Sequence, residues 1–494
     1  MKRKIIIVIS LAIFSIFFVY PTCVMAAQEM ASDRIIVKFK PGSNIKTAAV
    51  KAKALQNMRR AYTVPVSAGE GLDEVLKAYG SRPDVEFVQP DYKRRAYNST
   101  ASTALPENWG VVRTGADKLS KEITGNDAAV VAVVDTGVDS FHPLLEGRVL
   151  PGYDFVNSDN DASDDSTTGH GTHVAGIIAK VAGEQPVRIL PLKVLNSKGT
   201  GYDSAIADAI FYAVEHGADI INLSLGGEGY SPVLEEAVNY AVSNGVVVIA
   251  AAGNDSSDAG YYAPAGIESC VTVSAIDIDD MLAEFSNFGN VVDIAAPGTD
   301  IVSSVPLSVD HDGVRDGYTA FDGTSVAAPF VAGIGALLKV EDESLSGKQI
   351  EDLYYQNVDD VGYPGWDMFY GNGIIDFTDY IFDQSDWLEN HYIGYKVLGT
   401  MRDDTPLDHR FTVKFSMAVD ASSVTGDNIL LYRYDTADRI SVDIEAAGDD
   451  TFKMIPHVQL DKGREYWVVI EPTVKSRSGL LLNEGVVAKF ETVE

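Results

Sequence analysis

The sequence predicts a three-part chain whose largest part is an α/β domain built on a parallel sheet. Three observations carry this. Between residues 130 and 339, short apolar runs (130–134, 189–195, 219–225, 246–252) alternate with helical patterns (170–181, 203–216, 232–244, 325–339). Strands that read as unbroken apolar runs and are joined through helices pair in parallel and are covered on both faces. Charge divides the chain: Gln28 to Tyr97 holds 13 Lys plus Arg against 8 Asp plus Glu, whereas the residues after Tyr97 hold 23 basic against 63 acidic ones. From about residue 395 the helical pattern stops. Short strands at 411–416, 428–433, 440–445, 451–456, 465–471 and 487–492, separated by Asp, Gly and Asn turns, predict an all-β sandwich over 395–494.

In chain order, Lys2, Arg3 and Lys4 precede an apolar run from Ile5 to Val19, and Val24-Met25-Ala26 supplies small residues before Ala27. Residues 1–26 therefore read as a removable signal peptide, and the protein is expected to be secreted, extracellular or held at the cell surface, with no transmembrane segment after signal removal. Removal leaves Cys270 without an intramolecular disulfide partner, so stability is expected from core burial. In the basic segment, 34–40 and 85–91 alternate as strands and 45–58 reads as a helix. A basic module beside an acidic one implies that the two fit each other, and the acidity of the main body excludes nucleic acid as a partner.

Four motifs carry chemistry. Val130-Val131-Ala132-Val133-Val134-Asp135 is a buried-strand run ending in a carboxylate. Gly169-His170-Gly171-Thr172-His173 opens a helix with a histidine between glycines, and Ala250-Ala251-Ala252-Gly253-Asn254 sets an amide just past a strand. Gly323-Thr324-Ser325-Val326-Ala327-Ala328-Pro329 puts a hydroxyl at a helix N-terminus, where the dipole favours developing negative charge. Alone, Ser325 reads more simply as a helix cap. With a carboxylate, an imidazole and an amide in the same chain it reads as a nucleophile, because a serine needs a base to take its proton and an acid to orient that base. His170 and His173 lack the glutamate of the His-Glu-x-x-His zinc pattern.

The order Asp, His, Asn, Ser with these flanking residues resembles the subtilisin-like serine proteases over roughly residues 105–380. The resemblance implies a serine endopeptidase acting on protein or peptide substrates, with Asp135, His170 and Ser325 catalytic, Asn254 in the oxyanion hole and His173 structural. It implies that Ser224, Leu225 and Gly226 bind one edge of an extended peptide, Gly199 the other, and that Gly253 helps wall the first pocket, whose floor falls within residues 259–264. Residues 27–97 resemble the inhibitory ferredoxin-like propeptide of that family, cut from a catalytic domain at 98–384. Residues 395–494 resemble bacterial immunoglobulin-like domains. The alternative from another class is a non-catalytic surface or spore-coat adhesion protein keeping the protease fold.

Five carboxylates lie between Asp154 and Asp165. Oxygen donors on a loop suit calcium, and Asp154, Asp159 and Asp161 are the expected ligands. Asp293, with carbonyls near Ala265 and Ile267, resembles a second, weak cation site of the family.

Overall fold

In this computed structural model the described residues are 29–309 and 316–380, apart from 44–52, 56–57, 59, 68, 98, 101–107 and 379. Beyond them they are 388, 391–392, 395–398, 402–407, 409–434, 439–482 and 485–493. The signal-peptide expectation and most of the helix expected at 45–58 lie outside them. The chain forms two compact units that divide between Tyr380 and Ile381.

The first unit is organised by a nine-stranded sheet in the order Val358–Asp359, Ile374–Ile375, Ile294–Pro297, Val271–Ile276, Val247–Ala251, Ile220–Leu223, Ala129–Asp135, Val187–Lys193, Tyr153–Asp154. The interior strands pair in parallel, as their all-apolar sequences require. Helices cover both faces. Ala132, Val134 and Ile221 share a core with Ile206, Ile210, Leu234 and Val238 from helices Asp203–Glu215 and Pro232–Ser243. On the other side, helices His170–Ala182 and Thr324–Glu341 pack together, Val181 lying against Gly333.

Helix Thr324–Glu341 is apolar nearly all round because it is buried nearly all round. It has the length and hydropathy of a membrane span, yet 89% of its apolar window is buried inside the protein, which is the behaviour of a core helix. Two glycines let neighbours approach. A Cβ at Gly333 would fall 2.7 Å from Val181, and one at Gly335 would fall 1.9 Å from the Tyr354 hydroxyl.

Residues 29–97 add a second sheet. Met30–Phe39 lies between Ala61–Pro65 and Val85–Ala96, antiparallel to both. One face, with Ile35, Val37 and Phe39, packs on Leu72, Val75, Leu76 and Tyr79 of helix Leu72–Gly80. From the other face Ile36 joins the core around helices Asp203–Glu215 and Pro232–Ser243. The helix expected at 45–58 is corrected where it can be seen: Lys53–Ala54 is a strand paired with Ala61–Pro65.

The second unit is a β-sandwich. One sheet holds Lys396–Val397, Arg402–Thr405, Val486–Thr492, Glu465–Ile470, Ile429–Arg433 and Arg439–Ile440, the other Phe411–Lys414, Thr451–Pro456 and Val442–Ala446. The strand expected at 440–445 is two strands, since the chain changes sheets at Ser441. Between the sheets lie Val413, Ile429, Leu431, Phe452, Met454, Tyr466 and Phe490.

The close approach at Gly335 is testable. Gly335→Ala should destabilise the first unit by about 1–3 kcal/mol in urea denaturation, because overpacking outweighs the helix propensity that alanine adds. Tyr354→Phe in the same background should recover part of the loss. A Gly335→Ala protein as stable as the parent would show that the contact is not tight.

Candidate active site

Asp135 ends its strand at the carboxyl edge of the sheet, where open α/β sheets form their sites. Its Oδ1 accepts from the Thr136 N–H at 2.7 Å and lies 2.8 Å from His170 Nδ1, with both residues fully buried. Gly171 permits this meeting, since a Cβ there would fall 2.2 Å from the Gly137 carbonyl. Beside a carboxylate, Nδ1 carries the ring proton, which leaves Nε2 as the basic atom. That Nε2 makes no hydrogen bond among the described residues.

Ser325 is the second residue of its helix, entered through Gly323 with φ 155°. Its Oγ donates to the carbonyl oxygen of Tyr97. The same oxygen accepts from Asn254 Nδ2 at 3.0 Å. The amide is held in that orientation because its Oδ1 accepts from the Thr324 N–H at 3.0 Å and the Thr324 hydroxyl at 2.8 Å. The Thr324 hydroxyl in turn accepts from the Gly253 N–H at 3.0 Å. Thr324 is thus a positioning residue that sequence reasoning missed, although it stands beside the serine.

Residues 85–97 lie across this site as an extended strand. Ala96 and Arg95 pair with Leu225 and Gly226, and Arg95, Arg94 and Lys93 pair with Thr200, Gly201 and Tyr202 on the other edge. The Ala96 N–H donates to the Gly199 carbonyl at 3.1 Å. Leu225, Gly226 and Gly199 therefore flank an extended segment through their backbones.

Two of the expected substrate-binding residues also support the site's own groups. The Ser224 hydroxyl donates to the Ser325 carbonyl at 2.7 Å. That carbonyl lacks its helical donor because position 329 is proline, which has no N–H. Gly253 (φ 108°) sits against Asn287, whose Nδ2 a Cβ would approach to 2.3 Å, and its N–H supports Thr324.

The Tyr97 ring is buried, its phenol pushed far up by burial and its hydroxyl without a hydrogen-bond partner among the described residues. A Cβ at Gly226 would lie 2.7 Å from that hydroxyl and 2.9 Å from the Ala263 carbonyl oxygen. Within the expected pocket floor at 259–264, Tyr261 is exposed.

In the candidate cation loop the three expected carboxylates accept hydrogen bonds from the loop itself. Asp154 accepts from the N–H groups of Val156 and Asn157 at 2.7 and 2.9 Å and from the Asn157 amide at 2.8 Å. Asp159 Oδ1 accepts from the Asp161 N–H and Asp161 Oδ1 from the Ser163 N–H. Asp164 accepts from the N–H and hydroxyl of Thr172, Asp165 pairs with Lys193 at 2.7 Å, and no group of three or more His, Cys, Asp or Glu among the described residues converges as a ligand set. Around Asp293, Thr272 engages two of the three expected ligands: its N–H donates to Asp293 at 2.7 Å and its hydroxyl to the Ala265 carbonyl at 2.7 Å. Burial pushes the Asp293 carboxyl up to about 7.

Residues 126–373 match the Subtilase family, and residues 400–492 match the Bacterial Ig-like domain. Among characterised proteins, the chain is 37% identical over 356 residues to the thermophilic serine proteinase of Bacillus sp. (strain AK1), covering 68% of this chain and 84% of that protein. It is 43% identical over 233 residues to thermitase of Thermoactinomyces vulgaris, covering 46% and 80%. Among solved structures it matches a lanthipeptide protease with a TM-score of 0.51 at 27% identity, over 56% of this chain and 96% of that one.

His173, one turn along from His170, behaves differently. It stacks on Phe321 at 4.3 Å, and its Nε2 donates to the carbonyls of Ile301 and Thr319 at 3.0 and 3.1 Å. Burial, followed by the neighbouring His170, lowers its pKa from 6.5 to about 3. The unfolded chain therefore binds a proton below pH 6.5 that the folded chain refuses until about 3. Stability is present above 6.5 and is lost as pH falls through that window. In a Ser325→Ala background, His173→Gln should flatten the fall in unfolding free energy between pH 6 and 4 by about 1.4 kcal/mol per pH unit. Equal slopes in the two proteins would contradict a neutral, buried His173.

Proposed function

The chain belongs to the subtilase family of serine proteases, and on that premise we propose that Ser325, His170 and Asp135 hydrolyse peptide bonds through an acyl-enzyme. We infer further that residues 27–97 are an inhibitory propeptide that the enzyme removes from itself after export behind a cleaved signal. The observation that carries this reading is the Tyr97 carbonyl oxygen, shared by the Ser325 hydroxyl and the Asn254 amide.

The chemistry follows from those positions. Ser325 Oγ attacks the Tyr97 carbonyl carbon and passes its proton to His170 Nε2, after rotating from its contact with the carbonyl oxygen. Asp135 stabilises the resulting imidazolium through Nδ1. Negative charge gathers on the Tyr97 oxygen, where the Asn254 amide already donates and the helix N-terminus adds its dipole. Collapse breaks the Tyr97–Asn98 bond, His170 protonates the departing amine, and water then hydrolyses the ester by the same proton route. Because Asn254 is fixed by Thr324, its donor needs no reorganisation as the charge develops.

The product end also explains inhibition. Strand pairing on two edges and a buried aromatic residue hold Tyr97 in place after cleavage. Asp91 accepts from the Ser204 N–H at 3.0 Å and the Ser204 hydroxyl at 2.7 Å, and the Gln89 side chain accepts from the Val233 N–H at 2.9 Å. These bonds satisfy donors in the first turns of helices Asp203–Glu215 and Pro232–Ser243. A segment so attached binds as a folded unit.

Wild-type protein made in a protease-deficient host should begin at Asn98 by N-terminal sequencing, while Ser325→Ala should keep residues before Tyr97. Turnover of peptide should fall by about a million-fold, the scale measured for the corresponding loss in subtilisin, a member of the same family. Trimming of Ser325→Ala at the same bond in that host would assign processing to another enzyme.

A further inference from the structure

Arg94 is the fourth residue before the proposed cleaved bond, and its side chain is fully buried. Nε and Nη2 meet the two carboxylate oxygens of Asp203 at 2.5 and 3.0 Å, a fork-on-fork pair. Nη1 donates to the carbonyls of Gly227, Glu228 and Gly229 at 2.6, 3.1 and 3.4 Å, and Nη2 also reaches Gly229 at 3.4 Å. The Tyr92 ring covers the guanidinium, with its centroid 5.6 Å from Cζ.

Every acceptor in this pocket belongs to the part of the chain that remains after residues 27–97 leave. Asp203 opens the helix Asp203–Glu215, and Gly227 to Gly229 continue the strand that binds one edge of the peptide. The pocket offers two carboxylate oxygens and three carbonyls to the side chain, and no donor among the contacts it makes. This set matches the planar, five-donor guanidinium. An apolar side chain would leave Asp203 buried without a partner, glutamine would turn its own carbonyl toward acceptors, and lysine would supply a point charge that cannot span the set. Arg95 contrasts with this. It pairs with Asp255 at 3.0 Å, but the two side chains are 61% and 38% exposed, so solvent screens the pair.

We propose that Asp203 and the Gly227–Gly229 carbonyls form a substrate pocket selective for arginine four residues before the cleaved bond, so that the enzyme favours peptides with arginine there and an aromatic residue at the bond. This rests on the protease reading and extends it to a substrate class. Within the precursor the same pocket selects the enzyme's own segment.

The test uses the processed wild-type enzyme and internally quenched peptides of sequence Xaa-Arg-Ala-Tyr-Asn, with Xaa as Arg, Lys, Gln or Leu. kcat/KM should be about a hundredfold higher for Arg than for Gln or Leu and about tenfold higher than for Lys. Replacing the second residue, Arg, with Ala should change the rate by no more than about threefold. Asp203→Asn should cut the Arg-to-Leu ratio at least tenfold; the wild-type series decides alone if that variant does not fold. Equal rates for the four peptides, with cleavage after Tyr, would overturn the pocket and leave the protease reading standing. Failure to cleave any of the peptides or casein would overturn the protease reading and this pocket with it.

Discussion

The carbonyl oxygen of Tyr97 occupies a space that exists because residue 323 is glycine. A Cβ there would lie 2.2 Å from that oxygen, 3.0 Å from Asn254 Nδ2 and 3.1 Å from Ser325 Oγ. The surrounding structure serves to keep this gap and to aim three groups at it. The parallel sheet presents Asp135 and the loop to Asn254 at the carboxyl ends of two strands that flank Ile220–Leu223. The buried helix Thr324–Glu341 holds the serine in place, with Gly335 packed against Ile220 of the sheet and Tyr354 of helix Gly347–Gln356. Thr324 then fixes the amide that must be in place before charge develops.

The segment before Tyr97 reaches the gap through two kinds of interaction of different worth. Its exposed ion pairs, such as Arg95 with Asp255, contribute little net stability. The buried ones decide position. Arg94 with Asp203, and Arg34 with Asp91 at 2.7 Å, leave at least one charge stranded in a dry site if either partner moves. Burial raises the Asp91 carboxyl, and Arg34 and Ser204 oppose that shift. The apolar face carrying Ile36 adds area without direction. Directional buried polar contacts therefore set the register of the strand, and the hydrophobic face supplies attraction.

Much of this was legible in the sequence because the informative signals are local. Parallel strands buried on both faces appear as apolar runs, so the strands ending near Asp135 and Asn254 could be read within two residues. What was missed depends on distant partners. Ser224 answers a carbonyl that Pro329 leaves without a donor about a hundred residues later. Lys93-Arg94-Arg95 reads as one basic tail, yet strand alternation buries Arg94 and leaves Arg95 exposed. The acidic loop suggested ligands by composition, and composition does not show that Asp154, Asp159 and Asp161 also serve as turn acceptors. Helix Leu72–Gly80 could have been found, since Leu72, Val75, Leu76 and Tyr79 have helical spacing behind Asp73 and Glu74.

The central claim is that the uncut chain fills its own site with the Tyr97 carbonyl in a reactive position. Asn98→Pro tests it most directly, because a proline after the bond blocks cleavage while leaving Ser325 untouched. Intact mass should show that this variant keeps residues 27–97, and a fluorophosphonate should label Ser325 at least about a hundredfold more slowly than in the processed enzyme, as for a tethered occupant at high effective concentration. An uncut Asn98→Pro protein that labels at the processed enzyme's rate would mean that the segment does not hold the cleft.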